Sequence, residues 1–302
     1  ADIHQGFLDA GADIIETNSF GSTSVVLVEY GLADQARHLN REAALIARRV
    51  ADVASNPEKP RFVAGSMGPT TKTISVTGGI TFDDLAFSYY EQALGLIEGG
   101  VDILLLETGQ DVINVKAGLD GIDRAMAELD IEVALAVQGT IEPMGTLLAG
   151  QDAEAFYTSL SHRDLLWLGF NCATGPDFMT DHIRTLAGLS HFPVSCVPNA
   201  GLPDEDGNYN ESPEMIASTL GRFVESGWVN VVGGCCGTRP EHIRGLSAMV
   251  NGKRQRALPV QSETRVSGID ALLIDEDLRP CIVGERTNVL GSRRFRKLIR
   301  EG

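Results

Sequence analysis

The stretch VDILLLETGQD, residues 101–111, indicates the fold class of this chain. Four consecutive apolar residues follow Asp102, without the polar alternation of a strand that has one solvated face. The run ends at Glu107 and Thr108, and residues 111–129 then place apolar side chains at helical spacing. A buried strand followed directly by an amphipathic helix is typical of a parallel sheet that is covered on both faces.

The same unit recurs along the chain. Further short apolar runs that end in small or polar residues are ADIIETNSFG (12–21), RFVAGSMGPT (61–70), IEVALAVQGT (131–140), LLWLGFNCATGP (165–176), FPVSCVPNAG (192–201) and VNVVGGCCGT (229–238). Helical spacing predicts helices over 33–53, 83–98, 111–129, 151–163, 176–188 and 212–226. Seven strand-helix units are one short of a closed (β/α)₈ barrel, and residues 3–13 read as the end of a helix. We therefore predict an α/β fold, a TIM barrel that lacks its first strand.

A doubly wound open sheet is the competing architecture. Such folds bind nucleotides through a glycine-rich loop after the first strand, and TNSFGST at 17–23 does not match G-x-G-x-x-G. Beyond Val250 the sequence becomes polar and weakly periodic, which predicts an interdomain linker over 251–280. Residues 281–302 then read as a strand, a loop and a basic helix, the expected first βα unit of a second barrel. The first barrel accordingly occupies residues 1–250.

Composition disfavours several classes of function. A formal net charge of −16 at pH 7 argues against nucleic acid as a ligand, because binding a phosphate backbone requires clustered Lys and Arg. No apolar run reaches membrane-spanning length, and the N-terminal residues lack the charged start and apolar centre of a signal peptide. Five cysteines in 302 residues do not make a disulfide scaffold. We expect a cytoplasmic protein in which clustered thiols serve as metal ligands or catalysts.

Three cysteines follow predicted strands. Cys172 comes after LWLGFN, and Cys235 and Cys236 come after VNVVGG, two strands farther along the barrel. Because the loops at the carboxyl ends of barrel strands share one mouth, we expect the three thiols to converge there. Three thiolates with a free fourth position suit catalytic Zn²⁺, while packing as small buried apolar residues is the alternative for each motif alone. Cys196 and Cys281, which lie within predicted strands, are expected to be packing residues.

GFNC, PNAG and GGCCGT, together with ADIIETNSFG, GSMGPT and LLLETGQD, resemble the motifs of the homocysteine S-methyltransferase family over about residues 5–250. The barrel of that family binds zinc through three cysteines, so the resemblance implies Cys172, Cys235 and Cys236 as zinc ligands and catalytic centre. The substrate-binding residues that it implies are Glu107 for the amino group of homocysteine, Asn199 at the rim beside the zinc, and backbone groups of Gly65 and Ser66 for the substrate carboxylate. The Asp-Gly motif of the family's first strand is absent from this sequence.

The final stretch, IVGERTNVLGSRRFRKLIREG at 282–302, is similar to the opening of the pterin-binding domain of cobalamin-dependent methionine synthases. The similarity implies that Arg286, Thr287 and Asn288 form an edge of a pterin site. It also implies methylcobalamin, bound by a domain absent here, as the methyl donor to homocysteine, with 5-methyltetrahydrofolate as the origin of the methyl group. The implied partners are homocysteine and the downstream pterin and cobalamin domains. Two alternatives are a stand-alone methyltransferase that uses betaine or a sulfonium donor, and a noncatalytic zinc-stabilised module with a closed four-ligand site.

Overall fold

The computed structural model describes residues 1–260, 263–284 and 287–301 of the chain. The main sheet consists of strands β1 Ile14–Glu16, β2 Phe62–Met67, β3 Ile103–Gly109, β4 Ala134–Gly139, β5 Trp167–Asn171, β6 Val194–Val197 and β7 Val231–Val232. The helices that precede and connect these strands are α1 Asp2–Asp9, α2 Ser24–Leu27, α3 Ala36–Ala54, α4 Phe82–Glu98, α5 Val112–Leu129, α6 Ala153–Leu160, α7 Thr180–Leu189, α8 Pro213–Glu225 and α9 Pro240–Val250. The six helices predicted from periodicity correspond to α3 through α8. No helix in the described ranges is long and apolar enough to cross a membrane.

All seven strands are parallel, and each one pairs with the next in the chain. This order excludes the doubly wound alternative, in which the strand order reverses within the sheet. Ile14 on β1 and Val231 on β7 pack against one interior cluster that contains Leu105 and Trp167. The two edge strands share this cluster because the sheet curls. Among the described residues no strand joins β7 to β1. The structure therefore confirms a TIM-barrel-like fold that is consistent with a barrel lacking one strand.

The helical layer continues across the place where the sheet is open. Helix α1 contacts α3 on one side and α9 on the other. Its span, Asp2–Asp9, confirms the prediction of helical residues directly before β1.

Side-chain caps fix where the helices begin. At the start of α4, Thr81 Oγ1 accepts a hydrogen bond from the Asp84 N–H at 3.1 Å. At the start of α5, Asp111 Oδ1 accepts one from the Ile113 N–H at 2.9 Å. Such caps satisfy N–H groups that have no partner inside the helix. In the second case the cap also places the carboxyl end of β3 directly beside the N-terminus of α5.

After α9 the chain forms an antiparallel hairpin of strands β8 Thr264–Ser267 and β9 Ala271–Ile274, followed by a 3₁₀ turn at Glu276–Leu278. The hairpin packs on α6. Ser267 Oγ donates to the Ala155 carbonyl oxygen at 3.0 Å, and Arg265 forms an ion pair with Glu154. Polar composition alone indicated a linker over 251–280, so the hairpin is a feature that the sequence analysis missed.

The strand predicted at the start of 281–302 is wrong for the residues described there. Residues 281–284 form no strand, whereas the basic helix does form, as α10 Arg293–Glu301. A strand needs a neighbour to pair its backbone N–H and C=O groups, and no strand of the described ranges pairs with these residues. The apolar side chains of Ile282 and Leu298 are correspondingly exposed. The described residues therefore do not show the first unit of a second barrel, which stays a prediction.

A buried arginine attaches the segment after α9 to the barrel. Arg256 is only 5% exposed, and its guanidinium donates to the carbonyl oxygens of Phe192 at 3.1 Å, Ala187 at 2.6 Å and Ser190 at 2.8 Å. These carbonyls lie at and just beyond the C-terminus of α7, where a cation is favoured and free acceptors need partners.

We expect Arg256→Met to lower the free energy of unfolding by about 2 to 4 kcal/mol, because it leaves three acceptors without their donor in a buried place. Urea unfolding followed by circular dichroism measures this loss. The matched control is Arg254→Met, since Arg254 is exposed. Equal urea midpoints for the two variants would contradict the structural role of Arg256.

Candidate functional site

Cys172 sits on a backbone turn directly after β5. Its φ is +61° and that of Ala173 is +55°, so two consecutive non-glycine residues adopt the left-handed conformation. The turn is held in place because the Cys172 N–H donates to the Val197 carbonyl oxygen at 3.1 Å. Conformations of this kind are unfavourable for residues with a Cβ and concentrate at functional sites. Here the turn redirects the thiol from the strand into the mouth of the barrel.

The two adjacent cysteines are held by the loop that follows the neighbouring strand β6. The Cys235 N–H donates to the Pro198 carbonyl oxygen at 2.8 Å, and the Cys236 N–H donates to Asn199 Oδ1 at 3.0 Å. The Ala200 N–H in turn donates to the Cys236 carbonyl oxygen at 2.8 Å. The PNAG and GGCCGT motifs therefore fold as one hydrogen-bonded unit, in which Asn199 is buried next to the thiols.

The three thiols converge as the sequence predicts. The sulfur atoms of Cys172, Cys235 and Cys236 all lie within 4.8 Å of one another. The Cys172 and Cys236 Sγ atoms are 3.8 Å apart, and those of Cys235 and Cys236 are 3.9 Å apart. Two sulfurs bound to one tetrahedral Zn²⁺ with Zn–S bonds near 2.3 Å lie about 3.8 Å apart. The spacing of the sulfur atoms thus fits a zinc ion bound by all three.

The pKa values of the thiols differ when no cation compensates their charge. Hydrogen bonds from the Cys172 and Cys235 thiols lower the pKa of Cys236. Hydrogen bonds to Cys172 and Cys236, together with burial, raise the pKa of Cys235. Three thiolates at this spacing repel one another, so the cluster is suited to a dication that allows all three to ionise.

Glu107 projects from an irregularity in β3. The register of β3 against β4 shifts between Leu106 and Gly109, and Thr108 has a φ of +58°. Glu107 is 5% exposed. Its carboxylate accepts hydrogen bonds from Ser66 Oγ at 2.5 Å and from Asn171 Nδ2 at 3.2 Å. A buried carboxylate held by neutral donors is suited to receive a cationic group of a ligand.

A second carboxylate lies near Glu107. Burial, and then the charge of Glu16 at the end of β1, raise the pKa of Glu107 well above its usual range, against the hydrogen bond from Ser66, which lowers it. Glu16 is an exposed residue, and desolvation by the surrounding protein raises the pKa of its carboxyl to about 7. The sequence analysis missed Glu16. Its signal was the strand ending IIET, which repeats the LLET ending of β3.

The remaining predicted substrate residues lie on β2. The Ser66 N–H donates to Thr17 Oγ1 at 3.0 Å, and its carbonyl oxygen accepts from Ser19 Oγ at 2.7 Å. The backbone of Ser66 is therefore engaged within the protein, and the Ser66 hydroxyl is the group that reaches Glu107. Gly65 faces the opposite side, where a Cβ would lie 3.0 Å from the Leu96 side chain on α4. Contacts of Gly65 and Ser66 with a substrate carboxylate stay a prediction.

The other predicted residues lie elsewhere in the chain. Arg286 is outside the described residues. Thr287 precedes Asn288, whose Oδ1 accepts from the Leu290 N–H at 2.8 Å in the turn before α10. Their role in a pterin site stays a prediction. Cys196 is fully buried, as expected for packing, whereas Cys281 is exposed.

Asn171 is a second residue that the sequence analysis missed. Its Nδ2 contacts Thr108 Oγ1 at 2.8 Å, Glu107 Oε2 at 3.2 Å and Cys235 Sγ at 3.9 Å. The only sequence signal was its place inside the GFNC motif, next to Cys172.

Comparison with known proteins places this geometry in a family. The sequence profile of the Homocysteine S-methyltransferase family matches residues 1–250. The fold is similar to the homocysteine methyltransferase MmuM from Escherichia coli in its metallated form, with a TM-score of 0.67, 22% identity, and 82% of this chain and 83% of that chain covered. For the oxidized form the TM-score is 0.65, with 21% identity and 82% of each chain covered. Since the family match spans 250 of the 302 residues and includes every strand of the barrel, the chain belongs to the homocysteine S-methyltransferase family.

Proposed function

We propose that this chain activates homocysteine for methyl transfer at a zinc site formed by Cys172, Cys235 and Cys236. The observation that carries the proposal is the convergence of their sulfur atoms within 4.8 Å at the barrel mouth. When bound, zinc supplies the Lewis acidity that keeps the homocysteine sulfur a thiolate, whereas a free thiol with a pKa of about 8.5 is mostly protonated at neutral pH. Among the described residues no further Cys, His, Asp or Glu side chain joins this group, which leaves a position for the substrate sulfur.

The protein groups around the thiols have complementary tasks in this proposal. Three cysteine thiolates give the site a net negative charge with a dication, which disfavours strong retention of a fourth anionic sulfur and keeps that sulfur nucleophilic. The methylated product is an uncharged thioether, a poor zinc ligand, and leaves. Glu107 receives the substrate ammonium, the Ser66 hydroxyl holds the Glu107 carboxylate, and Asn199 positions the loop beside Cys236.

The methyl donor in this proposal is methylcobalamin, with 5-methyltetrahydrofolate as the origin of the methyl group, and the reaction is that of a methionine synthase. The support is the similarity of residues 282–302 to the start of a pterin-binding domain. In that arrangement Arg286, Thr287 and Asn288 form an edge of the pterin site, and pterin and cobalamin domains of a longer chain deliver the methyl group to the barrel mouth.

The donor is testable with the zinc-loaded chain. We expect methionine to form from homocysteine when free methylcobalamin is added, and not with betaine or S-methylmethionine; mass spectrometry of the products measures this. The zinc-free chain is the control, and it should form no methionine with any donor. Methionine formed only from betaine or S-methylmethionine would favour the stand-alone methyltransferase. A chain that holds zinc but does not bind homocysteine would be a zinc-stabilised module.

A further inference from the structure

We infer that Asn171 is a positioning residue that fixes Glu107 relative to the thiols, so that the site selects thiols carrying an α-ammonium group. The inference rests on the proposed function, because it assigns substrate selection to the same site. It adds a residue that neither touches the substrate nor binds the metal but determines where the ammonium-binding group stands.

One buried amide contacts both Glu107 and the residue that follows it. Asn171, the last residue of β5, has no solvent exposure. Its Oδ1 accepts from the Thr108 N–H at 2.8 Å, and its Nδ2 donates to Thr108 Oγ1 at 2.8 Å and to Glu107 Oε2 at 3.2 Å. The amide therefore holds both the backbone and the side chain of the residue that follows Glu107, and also the Glu107 carboxylate.

These contacts maintain a left-handed backbone conformation at Thr108. Thr108 has a φ of +58°, and a left-handed conformation is unfavourable for a β-branched residue. Such a conformation persists only where surrounding groups impose it. The register of β3 shifts at this place, which determines the direction in which Glu107 projects. Without the Asn171 amide, Thr108 loses two hydrogen bonds that favour the strained conformation, and Glu107 loses one of its two donors.

The same amide also lies beside the thiols. Asn171 immediately precedes Cys172, whose φ of +61° redirects the chain into the mouth, and its Nδ2 lies 3.9 Å from Cys235 Sγ. One side chain thus joins the carboxylate on β3 to cysteines after β5 and β7. A substrate that binds through its sulfur at one end and its ammonium at the other requires a fixed distance between the two receiving groups.

The test compares two thiols on the zinc-loaded chain by calorimetry. Homocysteine carries the ammonium group, and 4-sulfanylbutanoate has the same thiol and carboxylate without it. In the Asn171→Ala variant we expect homocysteine to bind about 30-fold more weakly and 4-sulfanylbutanoate to bind within about threefold of the unaltered chain. Zinc content should stay near one ion per chain. Thr108→Val, which keeps β-branching but removes the hydroxyl, should lower homocysteine affinity in the same direction by about threefold to tenfold.

The matched control is Asn40→Ala. Asn40 is equally buried and donates to two backbone carbonyl oxygens, those of Ser22 at 2.8 Å and Ala36 at 2.7 Å, outside the site. It should lower stability without changing the ratio of the two affinities. An unchanged ratio in Asn171→Ala, or equal weakening of both thiols with loss of zinc, would overturn the inference. If the unaltered zinc-loaded chain binds neither thiol, the proposed function itself is wrong and the inference falls with it.

Discussion

Replacing Cys235 with serine is expected to remove the metal from the purified protein, from about one zinc ion per chain to less than about 0.1. Homocysteine binding should be lost with it. The reason is geometric: the three sulfur atoms are spaced as one tetrahedral ion requires, and a serine hydroxyl at the same place is a poor zinc ligand at neutral pH. Cys172→Ser and Cys236→Ser should behave in the same way. Metal analysis of the purified variants and calorimetry with homocysteine measure both effects.

The control for the cysteine variants is Cys196→Ser. Cys196 is fully buried within β6, its Sγ lies 3.7 Å from Met179 Sδ, and burial raises its pKa, so it stays a neutral thiol. This variant should keep its zinc even if the added hydroxyl lowers stability. Zinc loss in Cys196→Ser equal to that in Cys235→Ser would contradict the assignment of the three ligands.

Glu107→Gln is expected to have opposite effects on binding and on stability. Homocysteine should bind at least about tenfold more weakly, because the hydrogen-bonded ion pair with the substrate ammonium is lost. The metal-free protein should become more stable than the unaltered chain at neutral pH. Burial raises the pKa of Glu107 well above its ordinary value of 4.5, so ionising this carboxyl in the folded state costs free energy that the unfolded chain does not lose.

The sign of the pH dependence follows from that raised pKa. At pH values below the pKa of Glu107 in the unfolded chain, its carboxyl is neutral in both the folded and the unfolded state. Its contribution to stability is then fully present. As the pH rises through the folded pKa, that contribution is lost from the unaltered chain but not from the Gln variant. Urea unfolding at a series of pH values should therefore show a stability difference that grows from about pH 4.5 upward.

A surface glutamate is a control for which stability should depend on pH in the opposite direction. The hydrogen bond from Arg37 lowers the pKa of Glu98, so the stability that it contributes is present above the unfolded pKa and is lost as the pH falls. Glu98→Gln should therefore be destabilising at neutral pH. If Glu107→Gln also destabilised the metal-free protein at neutral pH, the argument from a buried, desolvated carboxylate would be wrong.

The sequence by itself determined the order of the elements and the chemistry of the mouth. Continuous apolar runs and helical periodicity are local patterns, so β1 to β7 and α3 to α8 could be predicted from short windows of the chain. The parallel-barrel assignment then brought Cys172 to Cys235 and Cys236, because strand ends of a barrel share one mouth. The strand predicted at the start of 281–302 has no partner strand among the described residues. A local sequence pattern does not indicate whether such a partner is present.

Only the tertiary structure decided how the site is held together. Asn171 forms hydrogen bonds with Glu107 and Thr108, which lie 64 and 63 residues away in the sequence. Arg256 forms hydrogen bonds with carbonyl groups up to 69 residues away in the sequence. A left-handed Thr108 has no sequence signature, since threonine disfavours that conformation and adopts it here because a distant amide bonds to its backbone and hydroxyl. Hydrogen bonds between strands depend on distances that folding sets to a fraction of an ångström, whereas the sequence specifies only which residue types are available to form them.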